Sequence, residues 1–174
     1  MLAFGDKAPT FKELPGVDGR RYAFGAFDDK PVLVLVFTCT GCPTVKANEG
    51  RLIGLQESYS ERGVQLVAIN SNNPFLSPSD TLPEMTRRAE ERGFNFPYLK
   101  DEDGGVALAY GALTTPHVFV FDSQRRLRYR GRIDDSRDPA RATYSDLENA
   151  LTDVLASRPV AVPETSPFGC AIIR

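Results

Sequence analysis

The sequence predicts an α/β fold: a three-layer α/β/α sandwich around a central mixed sheet, with an N-terminal hairpin extension. Three features of the 174-residue chain lead there. Pro31-Val32-Leu33-Val34-Leu35-Val36-Phe37 is apolar at successive positions, which suits a strand covered by helices on both faces. Strand-like and helix-like stretches then alternate, as parallel strands joined by crossover helices require. Late in the chain two strand-like stretches follow one another directly, which predicts an antiparallel hairpin at one side of the sheet.

Taken in order, residues Gly5 to Asp29 are rich in Gly, Pro and charge and predict an irregular entry segment with a short hairpin around Val17-Asp18-Gly19-Arg20. The first core strand follows. From Pro43 to Arg62, Val45, Leu52, Leu55 and Tyr59 recur at helical spacing, and Gly63 is the expected stop. Val64 to Asn70 is a second core strand. Ser71 to Thr81 carries loop chemistry, and Pro83 to Glu91 predicts a helix that opens on proline and ends by Gly93. A short strand at Phe96 to Leu99 and a short helix at Gly105 to Tyr110 come next. Val118 to Asp122 and Arg126 to Gly131 form the predicted hairpin through Ser123-Gln124-Arg125, and Tyr144 to Ala156 is a final amphipathic helix. The whole chain reads as one domain, with residues 157–174 a tail docked on it, because Phe168 and Ile172-Ile173 are apolar.

Composition narrows the function. A net charge of −2 gives no basic footprint for nucleic acid. No apolar run approaches the roughly 20 residues that cross a bilayer, so no membrane partner is expected. The start of the chain lacks the basic-then-apolar pattern of a secretory signal. Three cysteines are too few and odd in number for a disulfide-stapled scaffold. Together these predict a cytoplasmic protein in which a close cysteine pair serves chemistry.

That pair is Cys39-Thr40-Gly41-Cys42, between the first core strand and its helix. Two intervening residues at a helix start give the short separation that a disulfide needs. Helix-terminal N–H groups stabilise a thiolate, the attacking species in thiol–disulfide exchange, so Cys39 is assigned as nucleophile and Cys42 as the resolving thiol. Two alternatives stand beside this. One is an inert buried pair. The other is a zinc site of Cys39, Cys42, Cys170 and His117, which is weakened because the last two stand alone in the sequence. The expectation is no metal and no cofactor.

The ordered set Gly5-Asp6-Lys7-Ala8-Pro9-Thr10-Phe11, Val34 to Pro43, Val67 to Asn70, Tyr110 to Pro116 and Val118 to Asp122 resembles the thioredoxin superfamily. More closely, it is similar to the redoxin branch that holds TlpA-like oxidoreductases and peroxiredoxins. The Gly169-Cys170-Ala171-Ile172 ending is similar to that of bacterial thioredoxin-family proteins. The resemblance implies a thiol–disulfide oxidoreductase acting on a disulfide-containing protein or small-molecule thiol, re-reduced by a thiol reductant. It also implies that Pro116 is cis, whereas spacing alone favours trans, and that Thr115 binds an extended substrate segment.

Departures matter. Thr38 stands where thioredoxins carry tryptophan, and Leu33 where they bury an aspartate, so a proton acceptor must come from elsewhere. Lys46 and Glu49 share a helix face with the cysteines and either tune a thiol or lie on a solvated surface. His117 is a candidate acid or base, or a side chain turned away. Cys170 is a candidate third redox thiol, or a free cysteine on the tail. A peroxidase would align Cys42 as its reactive residue, but Leu35 and Cys39 occupy its proline and threonine positions. Similarity to Sco-type copper chaperones is fainter, since those have three residues between their cysteines.

Overall fold

A computed structural model describes residues 2–174. The entry segment folds into a two-stranded ribbon, β1 (Leu14–Pro15) and β2 (Arg21–Tyr22), with Leu14 opposite Tyr22. The core elements are β3 (Val32–Thr38), α1 (Pro43–Tyr59), β4 (Val64–Asn70), α2 (Leu82–Arg92), β5 (Tyr98–Lys100) and α3 (Gly105–Tyr110). After β6 (Thr114–Thr115) come β7 (His117–Phe121), β8 (Leu127–Gly131), α4 (Asp146–Leu155) and, in the tail, β9 (Cys170–Ala171).

The main sheet has the order β5-β4-β3-β7-β8. β3, β4 and β5 run parallel, and β7 and β8 are antiparallel additions, which is the mixed sheet the sequence predicts. Every residue of β3 is buried. Val32, Val34 and Val36 pack into one core layer with Leu52 and Leu55 of α1, Met85 of α2 and Leu151 of α4. Leu33, Leu35 and Phe37 point into the other, made with Phe11, Phe24 and Phe27 of the entry segment, Tyr110 of α3 and Ile172 of the tail. The unbroken apolar run of β3 therefore follows from its having no solvent face.

Both outer strands of this sheet are covered by non-strand chain. Val17 donates its N–H to Tyr98 O on β5 at 3.0 Å, and Gly16 pairs with Leu99. On the far side Arg130 of β8 donates to Pro163 O at 3.0 Å, and Thr165 donates back to Arg130 O at 3.1 Å. Gly131 allows that approach, because a Cβ there would lie 2.2 Å from Thr165 Oγ1.

The tail then crosses to the site. β9 pairs antiparallel with β6, Thr114 opposite Ala171 and Thr115 opposite Cys170. This two-residue ladder was not predicted; the sequence assigned the tail no strand. α1 ends at Tyr59 and continues as one 3₁₀ turn to Arg62 before Gly63 at φ 84°, close to the predicted stop.

Candidate redox site

β3 delivers the cysteines to the carboxyl edge of the parallel strands, where the sheet order turns from β4 to β7 and side chains converge. Cys42 is the N-cap residue of α1, and Pro43 occupies the first helical turn. All three cysteines are free thiols. Cys39 and Cys42 are buried, 5% and 3% exposed, while Cys170 is exposed.

Thr115 connects them. Cys39 Sγ lies 3.3 Å from Thr115 Oγ1, and Cys42 Sγ lies 3.6 Å from Thr115 O as a thiol donor. Thr115 Oγ1 also lies 3.4 Å from Cys170 O, to which it can donate, and either Cys39 Sγ or the Thr115 hydroxyl can donate in the first contact. The Thr115–Pro116 peptide bond is cis. Cys39, Cys42 and Cys170 line one cavity of about 170 Å³ with Asn72, Asp80 and Ile173. A larger cavity of about 410 Å³ lies beyond the tail, lined by Phe75, Leu108, Ile173 and Arg174 and reached by none of the thiols.

The two pair members differ electrostatically, and in the opposite sense to the sequence expectation. Burial pushes the Cys42 thiol up, but Cys170 and the N–H groups of Val45 and Thr44 outweigh it, leaving Cys42 below the ordinary thiol value. Burial pushes Cys39 up, and the Thr115 hydroxyl and the Cys42 N–H offset this only in part, with the Asp80 charge adding to the rise. Cys42 is the N-cap of α1, so the amides of Thr44 and Val45 serve the second cysteine and only the Cys42 N–H reaches the first. Cys170 is pushed up to about 11, chiefly by hydrogen bonding to Cys42, then by burial.

Sequence reasoning missed a buried polar cluster beneath the loop between the cysteines. Asp80, 2% exposed, accepts from Thr40 N (2.9 Å) and Asn70 Nδ2 (2.9 Å) on one oxygen, while the Thr40 hydroxyl, 3.0 Å from that oxygen, donates to Ser79 O at 2.6 Å. Its other oxygen accepts from Asn72 Nδ2 (3.0 Å) and Ser77 Oγ (2.6 Å). Burial would raise this carboxyl, but four donors hold it below the usual range. It therefore stays ionised and positions Thr40; it does not replace the absent aspartate as a proton acceptor. Lys100 Nζ, buried alongside, donates to Asn72 O at 2.6 Å and Asn70 Oδ1 at 3.3 Å. The available signal was that β4 and β5 end in the polar residues Asn70 and Lys100 at the edge where sites form.

The auxiliary candidates separate. Glu49 is 2% exposed and bonded to Arg88 through both guanidinium contacts, with Arg92 at 3.4 Å, so it clamps α1 to α2 and touches no thiol. Lys46 is exposed. His117 is turned away from the pair: its ring packs on Phe119 at 4.7 Å and its Nδ1 accepts from Leu113 N–H at 3.2 Å. Cys170 alone joins the pair. Of the four residues of the zinc alternative the three cysteines share the cavity but His117 lies apart, and among the described residues no group of three or more His, Cys, Asp or Glu is placed to hold a metal.

Residues 3–151 match the family model described as Redoxin. The chain belongs to the Redoxin family. Among solved structures, this Redoxin chain is similar to an uncharacterized conserved protein from Geobacillus kaustophilus, at 37% identity and TM-score 0.93, covering 100% of this chain and 93% of that one. A protein from Sinorhizobium meliloti 1021 matches at 34% identity and TM-score 0.92, over 99% and 94% of the two chains. Thiol-disulfide oxidoreductase ResA from Halalkalibacterium halodurans is 29% identical over 118 residues, 68% of this chain and 62% of that protein. The chain thus matches less than two thirds of that relative's length.

Proposed function

We propose that this Redoxin chain is a thiol–disulfide oxidoreductase whose centre is the Cys39–Cys42 pair, acting on disulfides of proteins or small molecules and re-reduced by a thiol. The observation that carries the reading is the shared contact of both free thiols with Thr115, next to cis Pro116, at the start of α1. The similarity to a named thiol-disulfide oxidoreductase supports it. Cys42, whose thiol is the more acidic, attacks one sulfur of the substrate disulfide, forming a mixed disulfide and releasing the first substrate thiol. Cys39 then attacks Cys42 Sγ, gives up its proton, and releases the second thiol, leaving Cys39–Cys42 oxidised.

The test is insulin-disulfide reduction with dithiothreitol as donor. Cys42→Ser is expected to abolish it and Cys39→Ser to slow it. Full activity in Cys42→Ser would overturn the assignment of the attacking thiol, and full activity in both variants would overturn the pair.

Peroxide consumption is the second reading, favoured by the lowered Cys42 thiol, which is where a peroxidase would place its reactive sulfur. There the thiolate would cleave the peroxide O–O bond, yielding sulfenic acid and water, and Cys39 would condense with it and release a second water. Leu35 and Cys39, in place of proline and threonine, argue against it.

A further inference from the structure

The tail is built to bring one particular sulfur to the pair. Its strand lies along Thr114–Thr115 and continues through Ile172 N–H to Leu113 O at 3.1 Å. Gly169 makes this possible: at φ 149° a Cβ would lie 2.0 Å from Thr115 O, so any side chain forces the strand away. Beyond Cys170 the anchors are specific. Ile172 is buried in the second core layer. Ile173 N–H donates to Asn72 Oδ1 at 2.9 Å, and Asn73 N–H donates to Ile173 O at 2.8 Å. Arg174 donates to Ala112 O at 3.0 Å.

An extended segment paired with a short edge strand is one of the recurrent ways a protein binds a peptide. Here the chain supplies that segment itself, with a cysteine opposite Thr115. The geometry also distinguishes the three sulfurs. Cys39 and Cys42 are buried, and Cys170, on the wall of the same cavity, is the exposed one. Cys42 shares that cavity with both of the others and interacts with Cys170 through its side chain.

We propose that Cys170 is a third redox thiol, which takes Cys42 from the Cys39–Cys42 disulfide and carries the oxidised state to the surface. This rests on the function proposed above. In the oxidised protein Cys170 loses its proton to solvent and its thiolate attacks Cys42 Sγ. The Cys42–Cys170 bond forms as the Cys39–Cys42 bond breaks, and Cys39 leaves as a thiolate that takes up a proton. One disulfide and one thiol stand on each side of the step, so it needs no outside oxidant or reductant. Cys42 is the natural shared member, since its more acidic thiol shares the cavity with two more basic ones that are stronger nucleophiles once ionised. A thiol reductant can then attack Cys170 Sγ, the exposed sulfur, and release Cys42.

The experiment is disulfide mapping. Reduced protein is oxidised with glutathione disulfide, free thiols are blocked with iodoacetamide, and linkages are assigned by peptide mass spectrometry. The wild type is expected to yield both Cys39–Cys42 and Cys42–Cys170. Cys39→Ser, with Cys39→Ala as a second variant should the first misfold, is expected to yield Cys42–Cys170 alone. Adding Gly169→Ala should lower that yield about tenfold, because the strand is displaced. Recovery of Cys39–Cys42 in the wild type, with no Cys42–Cys170 in it or in natively folded Cys39 variants, would overturn this inference and leave the proposed function standing. Cys42–Cys170 without any Cys39–Cys42 would overturn the proposed pair instead, and would support Cys170 as the partner of Cys42.

Discussion

Asp80→Asn probes the cluster that supports the loop between the cysteines. The carboxylate serves four donors, two on each oxygen. Asparagine keeps one oxygen, which is best left toward Thr40 and Asn70. Its amide then faces Ser77, whose hydroxyl can turn and accept, and Asn72, whose own oxygen is held by Ile173 N–H. One buried amide donor is thus left without an acceptor, at about 1–3 kcal/mol. The bonds to the retained oxygen also lose their charge assistance, about 1 kcal/mol each, while the neutral side chain recovers part of the desolvation cost of the carboxylate. The expected loss is about 2–4 kcal/mol, or about 5–15 °C in Tm for a chain of this size. It is measured by urea unfolding of the reduced protein near neutral pH. Removing the charge should also lower the Cys39 pKa, since Asp80 contributes to its rise, and iodoacetamide rates against pH report this. A variant within about 0.5 kcal/mol of the wild type, or a Cys39 titration that moves upward, would refute the role given to Asp80.

Glu49→Gln should cost about 2–3 kcal/mol, toward the low end for a broken buried pair because Arg88 and Arg92 reach solvent, and should leave the thiol titrations unmoved. Unchanged stability with a shifted Cys42 pKa would return Glu49 to the list of tuning residues. His117 gives a pH signature: burial, with Arg130 nearby, lowers its pKa from 6.5 to about 4. A depressed folded value means that its contribution is complete above the unfolded pKa and lost as pH falls toward the folded one. Stability should therefore drop by up to about 3 kcal/mol between those values, and His117→Gln should flatten that part of the urea-derived profile. A slope unchanged by the substitution would show that His117 is not the group responsible.

The main sheet was legible because burial on both faces leaves a mark on every residue of a strand, as in Leu33 to Phe37, and because Val45, Leu52, Leu55 and Tyr59 repeat with the helix period. The pair itself was legible from spacing. Its polarity was not: α1 starts at Pro43 as the spacing predicts, but the contact of Cys170 with Cys42 and the burial of Cys39 beside Asp80 are set by the tertiary fold. Glu49 and Lys46 look alike as charges at helical spacing; only the packing of α2 against α1 buries one and leaves the other in water. The β6–β9 ladder has two residues on each side and joins positions far apart in the chain, too short for any periodicity to signal. Asp80 sat in a stretch whose turn chemistry explained its composition fully, and its burial is a property of the tertiary structure.

The covers on the two outer strands have a consequence for biosynthesis. Gly16 and Val17 are made before β5, so that border finds its cover waiting. At β8 the Leu127 end is met by Gly5 and Asp6, also made earlier. Pro163 to Thr165, however, emerge after β8 and α4, so until they do Arg130 presents unpaired backbone groups to the crowded surroundings of the ribosome. The nascent chain is therefore most liable to join a neighbour through the Arg130 end of β8 before residues 163–165 arrive, and the stretch that ends this exposure leads on to Cys170 at the redox site.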